Sequence, residues 1–151
     1  MARGVTIAVF WVEPNLPVGF DALRNDAHCD GHSRMERLAA DWATGVNRFA
    51  AAGEALFSAS AAGELAGIGG MTIDGVDTAA MRMRRFYVRP GFRRHGVGCS
   101  LADVLLAQAR RVAHRVLLNA TTELAVRFWE AIGLVPDRRD GHRHVLRWPS
   151  G

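Results

Sequence analysis

Two arginines, a histidine and two glycines stand together in Arg93-Arg94-His95-Gly96-Val97-Gly98. The spacing is R-x-x-G-x-G. Glycines at 96 and 98 carry no Cβ, so an anionic oxygen can approach their amides closely. An apolar pattern of helical period starts at Val97, with Leu101, Val104, Leu105, Gln108, Ala109 and Val112 mostly on one face. A helix beginning there turns unpaired N–H groups and the positive end of its dipole toward the loop. With Arg93 and Arg94 as cationic donors, and Cys99 and Ser100 in the first turn, the chemistry is that of a pyrophosphate cradle. The dinucleotide fingerprint G-x-G-x-x-G has the opposite spacing and needs an acid about 20 residues on. Walker A is excluded because no Gly-Lys-Ser/Thr follows; all 19 basic residues are arginine.

The cradle must be positioned by what flanks it. Ala80 to Val88 reads as a strand with apolar Met81, Met83, Phe86 and Val88, ended by Pro90-Gly91. Strict alternation puts Arg82 and Arg84 on one face and Arg85 on the other, and points Tyr87 away from Val88. Upstream, Val5 to Val12 reads as a first strand closed by Pro14 and Pro17. A helix is expected over Val18 to Ala27, broken at Asp30-Gly31. A second runs from Ser33 to about Val46, with Ser33 and Glu36 as a capping box and Met35, Leu38, Ala39, Trp42 and Val46 as its apolar stripe. Glu54 to Ala59 and Glu64 to Ile73 read as strands around an Ala62-Gly63 turn. Downstream come a strand at Val116 to Asn119 and a helix over Glu123 to Ile132, capped by Thr121 or Thr122 and ended at Gly133. Leu134 to Arg138 and His142 to Trp148 form a last hairpin about Asp140-Gly141. The order is β-α-α-β-β-β-α-β-α-β-β in one domain, residues 1–151.

Composition narrows the class. The chain has 151 residues, 49% of them hydrophobic, enough for one core. No run of 18 apolar residues is present, so no membrane is expected. The N-terminal apolar run lacks a small-residue cleavage site and reads as a strand. Cys29 and Cys99 have no metal-type spacing; they read as reduced thiols in a cytoplasmic protein without a bound metal, Cys99 as a small packed one. The net charge of +4 suits an anionic ligand. Nucleic acid is not the expected partner: the arginines are dispersed among acids, as in Arg34-Met35-Glu36-Arg37, and no recognition-helix or zinc pattern occurs.

Val88, Pro90, Arg93, Gly96 and Gly98 form V-x-P-x-x-R-x-x-G-x-G, which resembles the acetyl-CoA signature of the GCN5-related N-acetyltransferase (GNAT) superfamily. Ala125 to Leu134, AVRFWEAIGL, resembles that family's A-x-x-F-Y-E-x-x-G-F segment. The stretch from Trp42 through Asn47-Arg48-Phe49 to Gly53-Glu54-Ala55-Leu56 is similar to an uncharacterised bacterial subgroup. The resemblance implies an α/β fold with a mixed, mostly antiparallel sheet of six to seven strands and helices on both faces. It also implies acetyl-CoA as co-substrate and an amine as acceptor; a homodimer is left open.

What it implies for the site follows residue by residue. The pantetheine arm would lie beside the Ala80–Val88 strand, pairing with the backbone of Phe86 and Val88 next to Tyr87. The Val88 N–H would donate to the thioester oxygen. Arg93, Arg94, His95, Gly96, Val97 and Gly98 would hold the pyrophosphate, with Cys99 and Ser100 beside it. Thr122, Ala125, Phe128 and Trp129 would line the far wall. Two positions depart from the pattern. Trp129 stands where relatives carry a tyrosine acid, and an indole N–H gives up no proton near neutral pH. No acid lies between Ala80 and Arg85, where relatives place a base. Glu54 is then the candidate base. His142 and His144 are expected at the surface. An arginine of the Ala80–Val88 strand, Arg82, Arg84 or Arg85, near the acceptor would favour a carboxylate-bearing one, and His28, His32, Trp42, Asn47 and Arg48 mark the acceptor neighbourhood. The resulting expectation is an N-acetyltransferase. The alternatives are an acyl-CoA-binding module without catalysis and an arginine-rich nucleic-acid-binding protein.

Overall fold

The structure is a computed structural model that describes residues 6–139 and 142–149. Seven strands and four helices follow the expected order: β1 Ile7–Trp11, α1 Phe20–Cys29, α2 Arg34–Thr44, β2 Ala55–Ala61, β3 Glu64–Ile73, β4 Met81–Val88, α3 Val97–Arg110, β5 Arg115–Leu118, α4 Glu123–Ile132, β6 Val135–Arg139 and β7 His142–Arg147. A 3₁₀ turn at Pro90–Phe92 joins β4 to the α3 loop. The Asp140-Gly141 dipeptide and Val5 lie outside the described residues. The strands form one sheet in the order β1-β2-β3-β4-β5-β7-β6. Neighbours are antiparallel except β4 and β5, which are parallel.

Each face of the sheet has its own core. Val97, Leu101, Ala102, Leu105 and Ala109 of α3 pack with Met81 and Met83 of β4 and with Trp129 of α4. Phe20, Leu23 and Ala27 of α1 pack with Met35, Leu38 and Trp42 of α2 over Ile68 and Tyr87 on the opposite face. Full burial of each such side chain contributes roughly 1.5–3 kcal/mol. Adjacent glycines in β3 let rings lie flat on both faces. A Cβ at Gly69 would stand 2.8 Å from the Phe86 ring, and one at Gly70 would stand 2.3 Å from Phe49.

Three expectations are corrected. Ser33 precedes α2 but makes no side-chain cap; Glu36 instead accepts two hydrogen bonds from Arg24 of α1, at 2.8 and 2.5 Å. A neighbouring guanidinium outcompetes the local backbone amide. Val46 lies outside the apolar stripe and is 77% exposed, because Gly45, in the left-handed region, ends the helix first. His142 and His144 are buried, not at the surface. They alternate inward with Leu146 on β7, and His144 meets Glu130 of α4 with Nε2 3.0 Å from a carboxylate oxygen.

Candidate active site

β4 and β5 part company early. They pair only at Met81–Val116 and Arg82–Leu117. From Met83 to Val88, β4 has no strand on its β5 side among the described residues, so a wedge opens between the two strands. Hydrogen bonding shows which groups face it. The Arg89 N–H donates to the Ala66 carbonyl across to β3 at 2.8 Å, and Tyr87 pairs with Ile68. In an antiparallel ladder the residues between such pairs turn their N–H and C=O outward. The Val88 N–H and the Phe86 and Val88 carbonyls therefore point into the wedge. Two guanidiniums already reach those carbonyls: Arg34 donates to Phe86 O at 3.4 Å and Arg93 to Val88 O at 3.0 Å.

A bulge sets this geometry. Gly70 pairs with Arg84 and Ile68 with Tyr87, so Arg85 and Phe86 together oppose Gly69 alone. Arg85 takes φ 55°, the left-handed conformation of a bulged residue. The extra residue flips the alternation. Met81, Met83, Phe86 and Val88 share the α3 face, whereas Tyr87 joins the α1/α2 face. Arg85 also turns to α2, 3.8 Å from Asp41, so the expected split between Arg84 and Arg85 does not hold.

The far wall is aromatic. Trp129 lies edge-on to Phe86 with centroids 4.7 Å apart and to Phe128 at 4.9 Å. Thr122 caps α4 by accepting from the Ala125 N–H at 3.2 Å, and Ala125 packs against the core beneath. At the start of α3, Gly96 is left-handed with φ 85°. Its carbonyl accepts from Ser100 N–H at 3.0 Å, as the first helical bond. The N–H groups of Val97, Gly98 and Cys99 thus belong to the unpaired first turn. A Cβ on Gly98 would stand 3.1 Å from the Phe128 ring, so the cradle and the aromatic wall touch. Arg94, His95 and Cys99 are exposed; Cys99 is a free thiol and is not the packed one expected.

Arg93 is turned back along β4. Its guanidinium lies 2.7 Å from Asp30, which also accepts from the Tyr87 hydroxyl at 2.9 Å. Tyr87's hydrogen bond first, and Arg93 after it, hold the Asp30 carboxyl below its ordinary value. Burial, then Asp30, pushes the Tyr87 phenol well above its own. On the same face, Arg82 and Asp74 form a buried ion pair at 2.8 Å.

Glu54 is not at the wedge. Its carboxylate accepts from Ala51 N–H at 3.3 Å and Ile73 N–H at 3.0 Å. Ile73 pairs with Met81, about 20 Å along β4 from Val88 at the usual rise per residue. Of the acceptor neighbourhood, Trp42 packs in the cluster that holds Tyr87 of β4, and His32 borders β4 with its ring 5.8 Å from Tyr87 and Nδ1 3.2 Å from Arg34. Burial, then Arg34, holds its pKa below the usual histidine value. His28 lines an outer groove with Asp21, Arg24 and Glu36. Asn47 accepts from Phe49 N–H at 2.9 Å and Arg48 donates to Trp42 O at 2.8 Å, so both shape the loop before β2. Arg34 and Asp30 were not legible as site residues, because only tertiary folding brings them to β4. Among the described residues, no cluster of three His, Cys, Asp or Glu could hold a metal, and no helix is long and apolar enough to cross a membrane.

Residues 19–134 match the model of the "Acetyltransferase (GNAT) family". The fold is similar to that of a protein of Exiguobacterium sp. 255-15 provisionally described as an acetyltransferase (TM-score 0.84, 23% identity, 94% of this chain and 93% of that one). It is also similar to a GNAT-family acetyltransferase of Staphylococcus aureus Mu50 (0.75, 12%, 95% and 100%). A third match is a GNAT-family acetyltransferase of Brucella melitensis in complex with acetyl-CoA (0.69, 15%, 96% and 90%). No curated protein matches the chain.

Proposed function

The chain belongs to the GNAT acetyltransferase family, and from that premise we propose that it transfers an acetyl group from acetyl-CoA to an amine by direct attack in a ternary complex. The observation that carries this reading is the open edge of β4, whose Val88 N–H points into the wedge. The residues present fit the co-substrate: an unpaired strand edge for the amide-bearing arm, and a glycine-bearing helix start for the diphosphate. When bound, acetyl-CoA supplies the activated thioester carbonyl.

The chain's own groups do the rest. The Val88 N–H donates to the carbonyl oxygen as charge develops there. The outward Phe86 and Val88 carbonyls accept from the arm once Arg34 and Arg93 yield them. The amides of Val97, Gly98 and Cys99, with exposed Arg94, face the diphosphate. Phe86, Phe128 and Trp129 exclude water from the wedge floor. No side-chain acid is assigned for the thiolate. Glu54 is read as a structural cap, not as the base. Positioning of the two reactants carries the rate, with water taking the proton.

Val88→Pro tests this, because it deletes the wedge-facing N–H without removing a β3 ladder bond. Release of free CoA thiol with an amine panel is expected from the wild type. In Val88→Pro it should fall by about 10²-fold or more, while the melting temperature changes little. Equal turnover by the variant would overturn the assignment of the oxyanion donor. Calorimetric binding of acetyl-CoA with no thiol release from any amine would favour a non-catalytic acyl-CoA-binding module.

A further inference from the structure

The β4 bulge brings Arg84 and Arg85 close to Arg34 and Arg37 of α2. Arg84 is held by a single neutral partner, the Thr72 hydroxyl at 3.2 Å. Arg85 stands 3.8 Å from Asp41, at the outer limit of an ion pair, although only 14% of its side chain is exposed. Arg34 reaches in from the first turn of α2 and touches Phe86 O at 3.4 Å, near the outer limit of a hydrogen bond. Arg37 lies close enough to add its repulsion to that of Arg84 and Arg34 at Arg85. Other nearby acids are hydrogen-bonded elsewhere, and Asp74 and Glu54 attract Arg84 only at longer range. Asp74 holds Arg82, Glu36 holds Arg24, Asp30 holds Arg93, and Glu54 caps Ala51 and Ile73.

Arg84 and Arg85 are partly buried, whereas Arg34 is exposed; a partly buried guanidinium is costly unless an anion meets it. Burial, followed for Arg84 and Arg85 by like charge, holds all three below the ordinary guanidinium pKa. Their place is specific: Arg34 rests on the carbonyl two residues from the Val88 N–H, where an attacking amine must arrive. Planar forks of this kind match a carboxylate in two-point contact.

We infer that Arg34, Arg84 and Arg85 form the receptor for a carboxylate on the acceptor, so that the acceptor is an amino acid or another small amino-carboxylate. This rests on the acetyl-transfer reading above. The same cations repel polyamines and basic peptides.

The test compares amino acids with their amides, their decarboxylated amines, 2-aminoethylphosphonate and spermidine. Binding is read by calorimetry in the presence of CoA, and turnover by thiol release. Amino acids should bind about tenfold or more tightly than the matched amides. Arg84→Gln and Arg85→Gln should each raise KM for the amino acid by about tenfold, with kcat and the Kd for acetyl-CoA little changed. Equal binding of acids and amides, or tighter binding of the phosphonate, overturns the carboxylate receptor whether or not turnover occurs. Loss of acetyl-CoA affinity in the two variants likewise overturns it, since the arginines would then belong to the donor. Selective binding of acids without thiol release from any of them supports the receptor and sinks the transfer reading instead.

Discussion

Asp30 and Arg93, 63 residues apart in the chain, meet at 2.7 Å between carboxylate and guanidinium. Asp30 is the C-cap of α1, and Arg93 stands in the loop that leads to α3. With the Tyr87 hydroxyl on the same oxygen, the pair ties the end of α1 to the loop before α3 through β4.

The tie has a pH signature. The folded state holds the Asp30 carboxyl below its unfolded value. Its contribution is therefore complete above about pH 4 and is lost as pH falls through the lower folded value. Thermal melts should show a destabilisation below about pH 4 that is smaller in Asp30→Asn. At pH 7 the variant should lose about 0.5–1.5 kcal/mol, because Asn can still accept one of the two hydrogen bonds. An acid limb of the same depth in both proteins would remove Asp30 from it.

Gly69 and Gly70 separate stability from donor binding. Gly70→Ala drives a methyl into Phe49 on the α1/α2 face, where 2.3 Å leaves no room. It should cost about 1–3 kcal/mol in urea unfolding, with acetyl-CoA affinity kept. Gly69→Ala presses on Phe86 at 2.8 Å and Leu105 at 2.9 Å. It should cost a similar amount and also weaken acetyl-CoA binding, because Phe86 carries the wedge edge. Equal acetyl-CoA affinity in the two variants would contradict the assignment of Phe86 to that edge.

Trp129 is a wall and not an acid. Trp129→Phe keeps edge-on contact with Phe86 and Phe128 and should leave the rate of thiol release within about threefold, since an indole transfers no proton near neutral pH. Trp129→Ala removes the buried member of the aromatic trio and should cost about 3–5 kcal/mol. A Trp129→Phe protein that melts normally yet fails to turn over would show that the indole N–H is required.

Local chemistry was enough for much of this protein. The strand–loop–helix from Phe86 to Arg111, the Thr122 cap and the element order are written in short-range pattern: β-formers, turn glycines and helical periodicity act within a few residues. The loop-to-helix junction at Gly96 was legible for the same reason, since a turn glycine and a helical period meet there. Tertiary structure decided the rest. The β4 bulge depends on how β3 pairs with it, and one extra residue turned Arg85 and Tyr87 onto the α1/α2 face. Glu36 left its capping box for Arg24, a partner on another helix. His142 and His144 were buried by α4 and β6, which no alternation within β7 announces. Arg34 and Asp30 come from two helices to the strand that carries Arg84 and Arg85. Their meeting is a matter of packing and charge across the fold, and sequence neighbours carry no trace of it.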